Sequence, residues 1–217
     1  MMRNPKALLA LALLATASCK TASSNSAEAV QLGTATPSRW ADSVLASLTL
    51  REKAAQIVWP FVLGDYVSGN SPQWRRLTQY VQQEKVGGFI ISVGSPTEVA
   101  AKLNALQSMS KIPLLFGADL EAGAGFRARG GYFVPNAIDL GGAIVLPPEM
   151  AMGATRDTTL AYEQGRLTAI EGRALGIHIA YAPVLDVNNN PDNPVINTRS
   201  YGEAPDLVAR MLSLIHI

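Results

Sequence analysis

One cysteine, Cys19, and two histidines, His178 and His216, are all the soft-ligand chemistry in 217 residues. A lone cysteine excludes an intramolecular disulfide, and two distant histidines without cysteine company make no convincing metal site, so no metal is expected. His178 stands between Ile177 and Ile179 in an apolar run, which predicts a packed strand residue rather than a catalyst, since it lacks an orienting partner. His216 is read as structural as well. Charge bias is also missing: 18 Lys+Arg face 17 Asp+Glu, and no basic run interleaved with aromatics could follow a phosphate backbone. Nucleic acid is therefore not an expected partner. No Gly-x-Gly-x-x-Gly follows a strand-like run, because Gly123-Ala124-Gly125 lacks the third glycine at the required spacing. A nucleotide cofactor is disfavoured on that ground, and no favoured reading needs a cofactor of any kind.

What is present is enough apolar material, 48% of the chain, for one sizeable core. The first residues look like an address. Arg3 and Lys6 precede the Leu/Ala run Ala7 to Ala17, which is too short to span a bilayer and has the layout of an export signal. Thr16-Ala17-Ser18-Cys19 resembles the lipobox of bacterial lipoproteins, with Thr16 in place of the usual leucine. Residues 1–18 are therefore expected to be a signal peptide and Cys19 the lipidation site. Export to a bacterial membrane, on its periplasmic or outer-membrane face, follows, with plain secretion as the alternative. Residues 19–38, rich in Ser, Thr, Ala and Asn without apolar periodicity, read as a flexible tether to a folded domain spanning 39–217.

Within that domain, apolar residues at Trp40, Val44, Leu45 and Leu48 recur at helical spacing, and Thr49 with Glu52 predicts a capping box opening a helix from Leu50 to Ile57. Further helices are expected over Gln73–Gln83, Pro96–Met109, Thr158–Leu175 and Ala204–Leu212. Val86–Ser92, Ile112–Asp119 and Ile177–Asp186 read as buried strands. Because these runs are continuously apolar and separated by helices, both faces of a parallel sheet should be covered. The class is α/β, as an open doubly wound sheet or a barrel; the glycine pattern disfavours the first.

The polar groups at the strand ends carry the chemistry. Asp119 ends one apolar run and Asp186 nearly ends another, which in a barrel are positions on the active face. Asp119-Leu120-Glu121-Ala122-Gly123 puts a second carboxylate two residues on, followed by small residues that let a ligand approach the backbone. An ionised aspartate accepts two hydrogen bonds from vicinal sugar hydroxyls, each contributing about 1.5 to 3 kcal/mol where water is partly excluded. Arg199, in the loop after Asn193-Pro194-Val195-Ile196, could clamp ligand oxygens or form a surface ion pair, and spacing does not choose. Asp186 could orient the Arg199 loop or contact substrate. The binding candidates are Asp119, Arg199 and Asp186.

Taken in order, these segments resemble the N-terminal barrel domain of glycoside hydrolase family 3. Leu48-Thr49-Leu50-Arg51-Glu52-Lys53 is similar to the family's opening helix and Val86-Gly87-Gly88-Phe89-Ile90 to its second strand. Asp119-Leu120-Glu121-Ala122-Gly123 resembles its Asp-x-Glu-Gly-Gly motif, with Ala122 at the first glycine. Met152-Gly153-Ala154-Thr155, Glu171-Gly172-Arg173-Ala174-Leu175-Gly176-Ile177, Ala182-Pro183-Val184-Leu185-Asp186-Val187 and Arg199-Ser200-Tyr201-Gly202-Glu203 follow in the family's order.

The resemblance implies a TIM-type (β/α)8 barrel of which roughly the first half is present. It also implies retaining hydrolysis of a β-linked sugar from a non-reducing end, with Asp119 and Arg199 matching the family's ligands for the terminal sugar. The family's Lys-His loop, its acid/base pair and its nucleophilic aspartate are expected beyond Ile217, so no catalytic residue is assigned and this chain alone is expected to be inactive. A truncated reading frame is suspected, and an unclosed half barrel should be poorly stable or prone to associate. The stretch Pro183–Asn190 with Asn193-Pro194-Val195-Ile196 looks closer to the β-N-acetylhexosaminidase branch, acting on chitin- or peptidoglycan-type saccharides, than to β-glucosidases. A β-glucosidase and a non-catalytic sugar-binding lipoprotein are the alternatives. Oligomeric state and exact linkage are left open.

Overall fold

The structure, a computed structural model, describes residues 39–130 and 141–213. Cys19, the export signal, the tether and His216 lie outside the described residues. The chain divides into two compact units, residues 1–44 and 45–217. Of the first, the described part is the opening of helix α1 (Arg39–Ser47).

The second unit follows the expected alternation. Helix α2 (Leu50–Gln56) begins with the predicted box: Glu52 N–H donates to the Thr49 hydroxyl (3.3 Å), and the Thr49 N–H donates back to the Glu52 carboxylate (2.8 Å). Strand β1 (Phe61–Val62) was not foreseen, being two residues long. Helix α3 (Pro72–Gln79) runs on as a wider π turn over Tyr80–Glu84, where a plain helix was expected, and Lys85 ends it with φ 60°. Strand β2 (Gly88–Ile91) is followed by α4 (Pro96–Met109), whose ends match the prediction. Strand β3 (Leu115–Ala118) leads to a 3-10 turn at Ala124–Phe126. Helix α5 (Glu149–Thr155), unforeseen, and α6 (Thr158–Ala174) precede strand β4 (Ile179–Ala180). A 3-10 turn at Asn197–Arg199 and α7 (Pro205–Leu212) close the described part.

All three strand pairs are parallel, in the order β1-β2-β3-β4. A doubly wound sheet reverses its strand order at a switch point, whereas this one adds every strand on the same side, as a barrel does. Four strands make an arc of such a barrel. The register row Phe61, Ile90, Gly117 and Ile179 lines its inner face. Val62, Phe89, Ile91 and Phe116 alternate with it and enter the core shared with Leu77, Val81, Val99, Leu103, Leu106 and Leu114.

The expectation that both faces are covered is not met. Phe61 is 61% and Leu115 43% exposed, because the inner face of a four-stranded arc has no strands opposite it among the described residues. The predicted strand Ile177–Asp186 is likewise shortened, because among the described residues its ladder partner is β3 alone and that pairing ends at Ala118 with Ala180. Nor is His178 packed away: it is exposed at the start of β4. Its role is structural all the same. The Phe116 N–H donates to His178 Nδ1 (3.1 Å), the imidazole stacks on Phe116, and burial of that nitrogen's surroundings, then Arg173, lowers its pKa.

Leu106, fully buried between α4 and the sheet, gives the simplest test of this core. Leu106→Ala is expected to cost about 2 to 5 kcal/mol, lowering the thermal midpoint by roughly 5 to 15 °C. A shift under about 2 °C would mean that this layer is not packed as described.

Candidate functional site

The chemistry gathers at the carboxyl ends of β3 and β4. Asp119 follows the last residue of β3, as its sequence position suggested, and its side chain is 36% exposed. The Arg127 Nη2 donates to Asp119 Oδ2 (2.8 Å), while Oδ1 has no hydrogen-bond partner among the described residues. Arg127 also lies over the Phe126 ring at 4.5 Å, and its buried Nε is unpartnered among the described residues. The cation therefore fixes one oxygen of Asp119 and leaves the other, unpartnered among the described residues, free for a ligand.

The turn after Asp119 is built by Gly123, whose φ of 83° favours glycine and whose added Cβ would meet the Ile144 carbonyl at 2.8 Å. Ala122, at the position where the family has glycine, has no such φ, so its methyl group is tolerated. Glu121 then reaches Arg199 in a bidentate pair, Nε to Oε2 at 2.8 Å and Nη2 to Oε1 at 2.7 Å. Glu121 is the more buried partner, 13% exposed against 40% for Arg199. Arg199 Nη1 also donates to the Val195 carbonyl (3.1 Å). A guanidinium has five N–H groups; the described residues use three, which leaves one on Nη1 and one on Nη2 for a ligand. Its hydrogen bonds to Glu121 raise the Arg199 pKa further, so the charge is permanent.

What presents Arg199 is the pair of residues after it. The Ser200 hydroxyl, fully buried, donates to the Asp186 carbonyl (2.6 Å), and Tyr201, 1% exposed, donates its hydroxyl to Gln164 of α6 (3.2 Å). Burial is the main cause of the raised Tyr201 pKa. Asp186 is thus joined to the Arg199 loop through its main chain, and its charge acts on Arg199. It stands six residues beyond the end of β4, in a loop rather than at a strand end, which corrects its expected placement.

Sequence reasoning missed two charged residues here. Arg127 is the partner of Asp119, and the eight-residue spacing across a turn gave no periodic signal. Glu149, the first residue of α5, is 1% exposed with Oε1 unpartnered among the described residues. Burial first, and the charge of Glu121 next among the raising causes, pushes its pKa up to about 7. A neighbouring cavity of about 130 Å³ is lined by Leu120, Glu121, Gln164 and Tyr201, with Ala180 and Pro183. Among the described residues no cluster of three His, Cys, Asp or Glu could hold a metal ion, and no helix is long and apolar enough to cross a membrane.

Comparison with known proteins places this geometry. The profile of the glycosyl hydrolase family 3 N terminal domain matches residues 49–215. The chain belongs to glycosyl hydrolase family 3. Within the family, it is 33% identical over 172 residues to a β-N-acetylglucosaminidase/β-glucosidase of Cellulomonas fimi, an alignment covering 79% of this chain and 27% of that relative. A β-hexosaminidase A of Pseudoalteromonas piscicida is 31% identical, covering 62% and 23%. Among solved structures, a family 3 β-N-acetylglucosaminidase from a Paenibacillus species has a TM-score of 0.61 at 32% identity, covering 78% of this chain and 30% of that one. The β-glucoside phosphorylase BglX has a TM-score of 0.66 at 27% identity, covering 81% and 29%. The chain thus spans about a quarter of these relatives' length, and its arc of four strands is part of the family's TIM-type barrel.

Proposed function

We propose that the protein contributes the sugar-gripping half of an exo-acting, retaining glycoside hydrolase. Its reaction is release of terminal β-N-acetylhexosamine from chitin- or peptidoglycan-type saccharides. The observation that carries the reading is that one family 3 domain holds both Asp119, directly after β3 with Oδ1 unpartnered among the described residues, and Arg199, with two N–H groups that no described residue uses. Asp119 Oδ1 accepts from sugar hydroxyls, and Arg199 donates to sugar oxygens. Each charge-assisted bond contributes about 1.5 to 3 kcal/mol, and bonds that tighten as the ring flattens toward an oxocarbenium ion raise the rate rather than merely the affinity. The aspartate nucleophile and the acid/base group are assigned to the length of the relatives that this chain does not span.

The hexosaminidase reading is supported by the names of several relatives. Action on β-glucosides is the second reading, because the Cellulomonas fimi relative carries both activities in its name. The test is release of p-nitrophenol by the full-length protein from the β-N-acetylglucosaminide and the β-glucoside. Preference for the first supports the proposal, preference for the second supports the glucosidase reading, and turnover of neither favours a sugar-binding lipoprotein.

We further propose that Cys19, outside the described residues, carries a lipid that holds the exported protein on a bacterial membrane. Cys19→Ala is expected to move the protein from the membrane fraction to the soluble fraction and to abolish labelling by radioactive palmitate. Equal membrane retention in the variant would contradict the anchor.

A further inference from the structure

The charged groups at the strand ends leave one acid without a task. Glu149 is 1% exposed, and its Oε1 has no hydrogen-bond partner among the described residues. Helix α5 packs on the 3-10 turn that carries Arg199, with Gly153 so close to the next residues that an added Cβ would lie 1.7 Å from the Tyr201 carbonyl. Glu149 thereby shares its surroundings with the Arg199–Glu121 pair, and the charges that act on it are those two.

We propose that Glu149 is a positioning residue for Arg199: uncharged, it leaves the guanidinium seated on Glu121 at the strand mouth, and once ionised it draws Arg199 away. The proposal rests on the reading of Arg199 as a sugar ligand. With Glu149 neutral, Arg199 has one carboxylate to satisfy, and its bidentate geometry fixes the two spare N–H groups. With Glu149 ionised, Glu121 and Glu149 compete for one guanidinium, and Asp186 adds a third negative charge acting on it. Ionised, Glu149 is a buried charge steadied by a hydrogen bond from its own backbone, and among the described residues the cation acting on it is Arg199, so Arg199 is drawn toward it.

The other groups around it do not supply an alternative. Tyr201, whose pKa is raised by burial and by Glu149, stays a neutral donor bound to Gln164. Asp206 and Arg210 of α7, which also packs on α5, are exposed. Burial has already pushed the Glu149 pKa up to about 7, so the change falls in the neutral range: Arg199 is presented below it and withdrawn above it.

The experiment reads Arg199 directly, by nitrogen-15-edited NMR of arginine Nε–H groups in the full-length protein from about pH 5.5 to 8.5, with Arg199→Lys to assign the signal. The Arg199 signal is expected to shift with a midpoint near 7 and to stay fixed in Glu149→Gln. In parallel, KM for the p-nitrophenyl N-acetyl-β-glucosaminide is expected to rise roughly tenfold per pH unit above the midpoint, with kcat changing far less, and to be flat in Glu149→Gln. A pH-independent Arg199 signal, or an unchanged titration in Glu149→Gln, overturns the proposal. Absence of turnover would remove the hydrolase reading yet leave the NMR result to decide the coupling. If Glu149→Gln fails to fold, the wild-type titration decides alone.

Discussion

Asp119→Ala is expected to lower kcat/KM of the full-length protein toward the p-nitrophenyl N-acetyl-β-glucosaminide by about 10² to 10⁴-fold. The range comes from two charge-assisted hydrogen bonds to sugar hydroxyls at about 1.5 to 3 kcal/mol each, with about 1.4 kcal/mol per decade. The carboxylate also holds Arg127, so its removal leaves that cation with no carboxylate bound to it among the described residues. Asp119→Asn keeps an acceptor at the Oδ1 position and should lose less than the alanine variant. Steady-state kinetics of the two variants decide the point. A loss below about threefold in both would remove Asp119 from the binding site.

A large stability loss is expected at Gly153. An alanine in place of a helical glycine ordinarily stabilises by about 0.5 to 1 kcal/mol. Here the new Cβ would sit 1.7 Å from the Tyr201 carbonyl oxygen and 2.7 Å from its carbon, both main-chain atoms that no rotamer change can move aside. The clash outweighs the helix gain. Gly153→Ala should cost about 3 kcal/mol, the upper range for overpacking, and lower the thermal midpoint by roughly 6 to 12 °C. Because the displaced segment is the one carrying Arg199, Ser200 and Tyr201, sugar affinity should fall with it. Ala154→Ser, at an exposed neighbour on the same helix, is the control and should change little. A neutral or stabilising Gly153→Ala would show that α5 does not press on that loop.

How much of this was legible follows from what each residue's partners are. The start of helix α2 was readable because Thr49 and Glu52 form a local capping signal, and the structure has both hydrogen bonds of that box. Asp119 was readable because an acid ending an apolar run is a pattern in the sequence itself. Strand β1 was not, since two paired residues leave no periodicity, and α5 was hidden because its seven residues include a glycine that only tertiary contact explains. Arg199 was seen, but its grip on Glu121 spans 78 residues and depends on the arc bringing β3 and the Arg199 loop together. Glu149 was overlooked because an acid after two prolines reads as solvent-exposed, and nothing local shows that α5 turns it inward. Ser200 and Tyr201 were quoted for their motif, while their work as buried anchors of the loop emerged only with Asp186 and Gln164 in place.

The central claim is that Asp119 and Arg199 grip a terminal sugar at the carboxyl ends of the strands. Isothermal titration of N-acetylglucosamine into the full-length protein, beside Asp119→Ala and Arg199→Ala, tests it most directly. Saturable binding weakened at least about tenfold in each variant is the predicted result, corresponding to loss of one charge-assisted bond or more. Binding of equal strength in all three proteins would contradict the assignment.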